Sequence, residues 1–138
     1  MREILAVGDA EQLSRLREKF LEFLQRMMVG FELEGRIQTA ADPFFVNVYA
    51  KKRLFQVNLK LKYEALAWLP GTGEFLAVAS VNDHRDHFTR AFGLTAERGD
   101  QFHSSCFAFG LERLALSIIA QHGLEPGKWP AGVLRLLH

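Results

Sequence analysis

Two kinds of apolar spacing alternate along this chain. Asp9 followed by Gln12 reads as a helix N-cap with its capping-box partner, and Leu13, Leu16, Phe20, Leu24 and Met27 then repeat at helical spacing up to Gly30, which predicts a helix from about Ala10 to Met28. From Phe31 to Thr39 the alternation is weak, with Phe31, Leu33 and Ile37 set among charges; it predicts a strand, and Asp42-Pro43 a turn after it. Leu59, Leu61, Tyr63, Ala65 and Ala67 alternate with Lys60, Lys62 and Glu64, and Pro70-Gly-Thr-Gly73 leads into the apolar run Phe75 to Val81, the pattern of an antiparallel hairpin. His84 to Phe92 reads as a short helix or an irregular segment, and Thr95 to Gln101 as a polar loop.

The last apolar segment, His103 to Gly123, joins a strand-like run to a helix through Gly110 and carries Glu112 and Arg113 at the join. Leu111, Leu114, Ala115, Ile118 and Ile119 recur at one helical stripe, expected to face the core, so that Arg113 points elsewhere. Helix, strand, hairpin, loop, strand, helix is not the regular alternation of a parallel sheet. The expected class is α+β, an antiparallel sheet with helices against one face, in a single domain spanning residues 1–138.

Composition narrows the function. With 138 residues, 49% of them hydrophobic and 24% charged, the chain can bury a sizeable core. Seventeen Lys and Arg against sixteen Asp and Glu, spread along the chain, give no electrostatic footprint for nucleic acid. No apolar run approaches the roughly 20 residues that span a bilayer, and Arg2-Glu3 followed by Gly8-Asp9 does not read as a signal peptide. A cytoplasmic protein without a membrane partner is expected. The single cysteine, Cys106, leaves no internal disulfide and fits a reducing compartment.

Few residues stand out chemically. An arginine in the first turn of a helix that follows a strand can stack on a purine and reach phosphate oxygens with its fork of donors, or it can form a surface ion pair with Glu112. Cys106, among apolar neighbours, is either a small buried side chain or a metal ligand that needs carboxylate or histidine partners. His84 and His87 stand at i and i+3, where they share a helical face if the segment is a helix; they then hold a metal or serve as hydrogen-bonded polar groups.

The run Cys106-Phe-Ala-Phe-Gly-Leu-Glu-Arg-Leu-Ala115, followed by His122-Gly123 and Trp129-Pro130, resembles the motif 3 region of class II aminoacyl-tRNA synthetases. More narrowly it resembles the amino acid:[carrier protein] ligases, truncated relatives of the atypical archaeal seryl-tRNA synthetases. Arg2-Glu3, Ala41-Asp-Pro-Phe-Phe45, Leu61-Lys-Tyr-Glu64 and the stretch from Asn82 to Phe88 agree with that family in the same order. The likeness runs from Arg2 to about Pro130 and matches roughly the C-terminal half of a ligase.

The resemblance implies activation of a small amino acid (glycine, alanine or serine) by ATP, with Mg²⁺, and transfer of the aminoacyl group to the phosphopantetheine thiol of an acyl or peptidyl carrier protein, without tRNA. Arg113 matches the motif 3 arginine that holds ATP; Glu112, Ser80 and Asn82 fall where residues near ATP, Mg²⁺ or substrate are placed. The family's zinc is held by two cysteines and one glutamate, with a fourth position open for the substrate amine. Cys106 matches the second cysteine and Glu3 the glutamate, whereas the first cysteine, motif 1 and the leading strand of motif 2 have no counterpart. The family's dimer forms through motif 1. Val46-Asn47 stands where the family has Gly-Arg, and Lys51, Lys52 and Arg53 offer charge that could steer an acidic carrier. A shortened, non-catalytic paralogue serving as a binding or assembly module is the alternative.

Overall fold

The computed structural model describes residues 1–40, 61–96, 99 and 101–137. The predicted turn at Asp42-Pro43, the Ala41 to Phe45 motif, Val46-Asn47, the Lys51 to Arg53 run and Leu59 lie outside the described residues, as does part of the Thr95 to Gln101 loop. In chain order the elements are β1 (Arg2–Gly8), α1 (Ala10–Gly30), β2 (Gly35–Thr39), β3 (Lys62–Leu69), β4 (Glu74–Arg85), α2 (His87–Ala91), β5 (His103–Phe109), α3 (Leu111–His122), a 3₁₀ turn (Pro126–Lys128) and α4 (Ala131–Leu134). The strands form one sheet of order β1-β5-β4-β3-β2, with every neighbouring pair antiparallel. The class is α+β, as expected. Among the described residues no helix is long and apolar enough to cross a membrane.

Strand alternation sorts side chains between two faces. Ile37, Tyr63, Ala65, Ala67, Ala79, Val81, Phe107 and Phe109 belong to one cluster with Leu24, Met27 and Met28 of α1 and Ile118 of α3, so both long helices cover the same face. Phe20 stacks its ring 4.5 Å from that of Phe107 and 5.6 Å from that of Phe109, pinning α1 to β5. The α1 cap is the predicted one: the Gln12 amide donates to Asp9 Oδ1 at 2.7 Å. Gly35 is required by contact, since a Cβ there would collide with the Leu66 carbonyl and the Met28 methyl where β2 meets β3.

Several boundaries differ from expectation. β1 was not anticipated; its apolar run is short, and Asp9, directly after it, already caps α1. The predicted strand from Phe31 begins only at Gly35, because Phe31 and Leu33 alternate into the core from a turn in which Glu32 takes a positive φ of 49°. β4 runs past Val81 to Arg85, and the helix after it has five residues. His84 is therefore a strand residue at a bulge and His87 a helix residue, not two steps of one helical face, and His84 Nδ1 pairs instead with Ser104 Oγ at 3.3 Å. On α3 the buried stripe is rotated from the predicted one. Leu114, Ser117, Ile118 and Gln121 face the sheet, while Leu111 is half exposed and Ala115 exposed.

Candidate functional site

The opposite face of the sheet carries polar side chains in cross-strand rows. Lys62 pairs with Asn82 and Asn82 with Cys106; two residues along, Glu64 pairs with Ser80, Ser80 with Ala108 and Ala108 with Glu3. A bulge in β4 keeps these rows in phase with the chain beyond them: Ala65 opposes Ala79 and Leu66 opposes Ala77, so Val78 is the extra residue and drops into the core. Lys62, Glu64, Ala77, Ser80, Gly110 and Arg113 line an open pocket over this floor.

Arg113 enters the pocket because of how α3 starts. Gly110 donates its N–H to the Val78 carbonyl at 2.9 Å, ending β5 on the bulge, and its own carbonyl accepts from the Leu114 amide at 2.8 Å, opening the helix. The Arg113 stem folds back over Gly110, and its Nη1 donates to the Ala77 carbonyl at 3.3 Å. The guanidinium thus lies beside the Ser80 row, at the positive end of a twelve-residue helix, where anions are favoured. Glu112 is turned outward, 3.5 Å from the Met1 amino group. Its own backbone N–H, with help from that ammonium, holds its carboxyl below the ordinary range.

At the other end of the floor, Asn82 Nδ2 donates to Ser80 Oγ and to Cys106 Sγ, both at 3.3 Å. Cys106 is buried, and burial pushes its thiol up to about 11. A hydrogen bond with the Glu3 carboxylate pushes the same way, while Asn82 and the charge of Lys62 oppose it. The two metal ligands implied by the family resemblance are therefore neighbours, although they come from opposite ends of the chain. Two donors do not complete a tetrahedral site, and among the described residues no group of three or more His, Cys, Asp or Glu is arranged to hold a metal. The sulfur binds a cation only as thiolate, so metal capture here would release a proton.

The six residues that the family resemblance assigns to the site thus lie on or beside one face: Arg113 and Ser80 at the phosphate-suited end, Asn82, Cys106 and the neighbouring Glu3 at the thiol end, and Glu112 at the rim. Lys62 and Glu64 were given no role from sequence, yet they form an ion pair of 3.2 Å on the floor. The signal was present in the alternation itself. If Tyr63, Ala65 and Ala67 face the core, Lys62 and Glu64 must share the face of their cross-strand partners Asn82 and Ser80.

Comparison with known proteins gives the fold a lineage. No protein-family model matches the chain. An amino acid–[acyl-carrier-protein] ligase of Bradyrhizobium diazoefficiens, however, is 36% identical to it over 137 residues, covering 99% of this chain and 41% of that ligase. The chain is related to the amino acid–[acyl-carrier-protein] ligases. It spans about two fifths of the length of that relative. A type-2 serine–tRNA ligase of Methanopyrus kandleri is 30% identical over 135 residues, covering 93% of this chain and 26% of that tRNA ligase. In solved structures, M. kandleri SerRS in its complex with A. aeolicus tRNASec matches with a TM-score of 0.82 at 28% identity, over 96% of this chain and 27% of that one. Seryl-tRNA synthetase from Pyrococcus horikoshii, solved with ATP, shares the fold with a TM-score of 0.60 at 20% identity, over 87% of this chain and 26% of its own.

Proposed function

We propose that this chain forms one wall of the adenylating site of an ATP-dependent amino acid:[carrier protein] ligase. The observation that carries this proposal is Arg113, folded over Gly110 into a pocket shared with Ser80 at the N-terminus of α3. A guanidinium and a helix terminus together suit the phosphates of ATP. In the first step a carboxylate oxygen of a small amino acid, such as glycine, alanine or serine, bonds to the α-phosphorus of ATP and the bond to the departing pyrophosphate breaks. In the second, the phosphopantetheine thiol of a carrier protein attacks the adenylate carbonyl, losing its proton as AMP leaves and a thioester forms. Arg113 holds triphosphate charge, Ser80 and Asn82 line the path between phosphate and amino acid, and Glu112 stands at the mouth. Mg²⁺, when bound with ATP, offsets charge on the leaving pyrophosphate.

Glu3 and Cys106 would be two of the ligands of a zinc ion that recognises the substrate amine. Their adjacency across β1 and β5 supports this assignment. The expected compartment is the cytoplasm. The decisive experiment is pyrophosphate exchange into ATP by the complete, zinc-loaded protein with glycine, alanine or serine. Exchange with at least one of the three is expected; none with any of them sinks the proposal.

The similarity to serine–tRNA ligases makes tRNA the competing acceptor, and aminoacylation of carrier protein against tRNA in parallel decides between them. A shortened, non-catalytic paralogue predicts a stable chain that neither ATP nor zinc stabilises against heat.

A further inference from the structure

Ala108 stands in the middle of the polar face. Along β5 its neighbours on that face are Cys106 and Gly110, and across the sheet it opposes Ser80 of β4 and Glu3 of β1. The polar groups around it are joined to one another: Asn82 Nδ2 donates to Ser80 Oγ and to Cys106 Sγ, both at 3.3 Å, and the Glu3 carboxylate meets the same thiol. Ser80, Asn82, Cys106 and Glu3 thus bend round three sides of Ala108. On the fourth side Gly110 has no side chain, and the Arg113 stem folds over it to close the ring. Neighbouring strands lie about 4.8 Å apart and alternate residues of one strand about 7 Å apart, so the hollow inside the ring is only a few atoms across. Its rim is polar or charged, while the half-buried Ala108 methyl at its centre lines the pocket and is apolar. An α-amino acid matches this hollow with its amine toward Glu3 and Cys106 and its carboxylate toward Ser80 and Arg113, each charge against its opposite. The α-carbon then lies above Ala108, and the side chain is the part of the substrate that gains by resting on the methyl rather than on the polar rim.

We propose that Ala108 is a specificity-determining residue of this site: its methyl is the floor on which the amino acid's side chain rests, and the height of that floor limits the side chain's size. The assignment rests on the ligase proposal above and adds to it a physical reason for a small substrate. The amine, the carboxylate and ATP, which the rim residues engage, are common to every candidate amino acid. Ala108 faces the part in which the candidates differ, where one methylene more or less changes selection by about 10–200-fold.

The test is pyrophosphate exchange into ATP by the complete, zinc-loaded protein with glycine, alanine and 2-aminobutyrate, whose side chains grow by one carbon at a time. The unaltered protein should favour alanine over 2-aminobutyrate by about tenfold or more in kcat/KM. Ala108→Gly, which lowers the floor, should narrow that ratio by about fivefold or more, and Ala108→Val, which raises it, should lower alanine relative to glycine by about tenfold. A second readout needs neither a variant nor turnover: in NMR spectra of the unaltered protein saturated with alanine, a nuclear Overhauser contact is expected between the substrate methyl and that of Ala108. Equal use of alanine and 2-aminobutyrate, ratios that neither variant moves, or bound alanine without that contact would each overturn the assignment of Ala108. Exchange that accompanies any of these results leaves the ligase proposal standing, whereas no exchange with glycine, alanine or serine overturns both.

Discussion

Asn82 donates its side-chain amide to the sulfur of Cys106, 3.3 Å away across neighbouring strands, while the Glu3 carboxylate takes the other side of the same thiol. The two partners act in opposite directions. The Asn82 donor stabilises thiolate, and Glu3 stabilises thiol. Glu3→Gln should therefore lower the Cys106 pKa and speed its alkylation at pH 9, and Asn82→Ala should raise it and slow alkylation. Rates of iodoacetamide modification against pH, on metal-free protein, check both signs; a shared direction would refute this account of the thiol.

The same thiol links stability to pH. Its pKa rises from an ordinary 9.0 in the unfolded chain to about 11 in the fold. Below pH 9 both states keep the proton and nothing is lost; between about pH 9 and 11 the unfolded state releases it first, so the fold loses stability as pH rises, by up to roughly 3 kcal/mol at 1.36 kcal/mol per pH unit. Cys106→Ala should remove that slope. The check is urea unfolding of both proteins at pH 8 and pH 10.5, where the difference between them isolates Cys106 from the other groups that titrate there.

Much of this arrangement was legible in the sequence, and the limits have physical causes. The α1 period, its Asp9 cap and the hairpin over Pro70–Gly73 are local signals, and they hold. So does the α+β class, which follows from element order. The strand expected from Phe31 to Thr39 is present but starts only at Gly35, because a turn that buries Phe31 and Leu33 leaves the same two-residue alternation as a strand. The α3 stripe was misplaced because its buried face includes two polar residues whose bonds satisfy them there: Ser117 Oγ donates to the Arg113 carbonyl one turn back, and Gln121 reaches Glu34, just before β2, and Trp68 of β3, partners remote in sequence. The neighbourhood of Glu3 and Cys106 depends on pairing between the two ends of the chain, which no local pattern encodes; only the family resemblance brought them together.

Gln121 gives a stability prediction of its own. Its Nε2 donates to the Glu34 and Trp68 carbonyls at 3.0 and 2.7 Å, and its Oε1 accepts from the Glu34 amide at 2.7 Å, so one side chain ties α3 to the approach of β2 and to β3. Gln121→Leu keeps the bulk but strands the Glu34 amide and the Trp68 carbonyl, while the Glu34 carbonyl keeps the Trp68 amide. A loss of about 1–3 kcal/mol is expected by chemical denaturation, against less than about 0.5 kcal/mol for a substitution at exposed Ala120 on the same helix.

Gly110 separates the site from the fold. Its φ of −83° and ψ of 87° need no glycine for backbone freedom, so the reason for glycine lies in what surrounds it. A Cβ there would stand 3.2 Å from Arg113 Cδ and 3.4 Å from its Cβ, tight enough to push the stem away, while the Ala77 carbonyl that Nη1 reaches is fixed by the sheet. Gly110→Ala should therefore leave stability within about 1 kcal/mol, since Ala is a tolerable residue at that φ and the displaced stem is exposed. ATP-dependent thermal stabilisation should fall several-fold, because the guanidinium no longer lies over the Ser80 row. Arg113→Met, which removes the cation outright, should abolish it. Arg113→Lys keeps the charge but not the planar fork and should fall between. If Gly110→Ala unfolds the chain, or leaves ATP stabilisation intact while Arg113→Met removes it, the stem over Gly110 is not what aims the guanidinium.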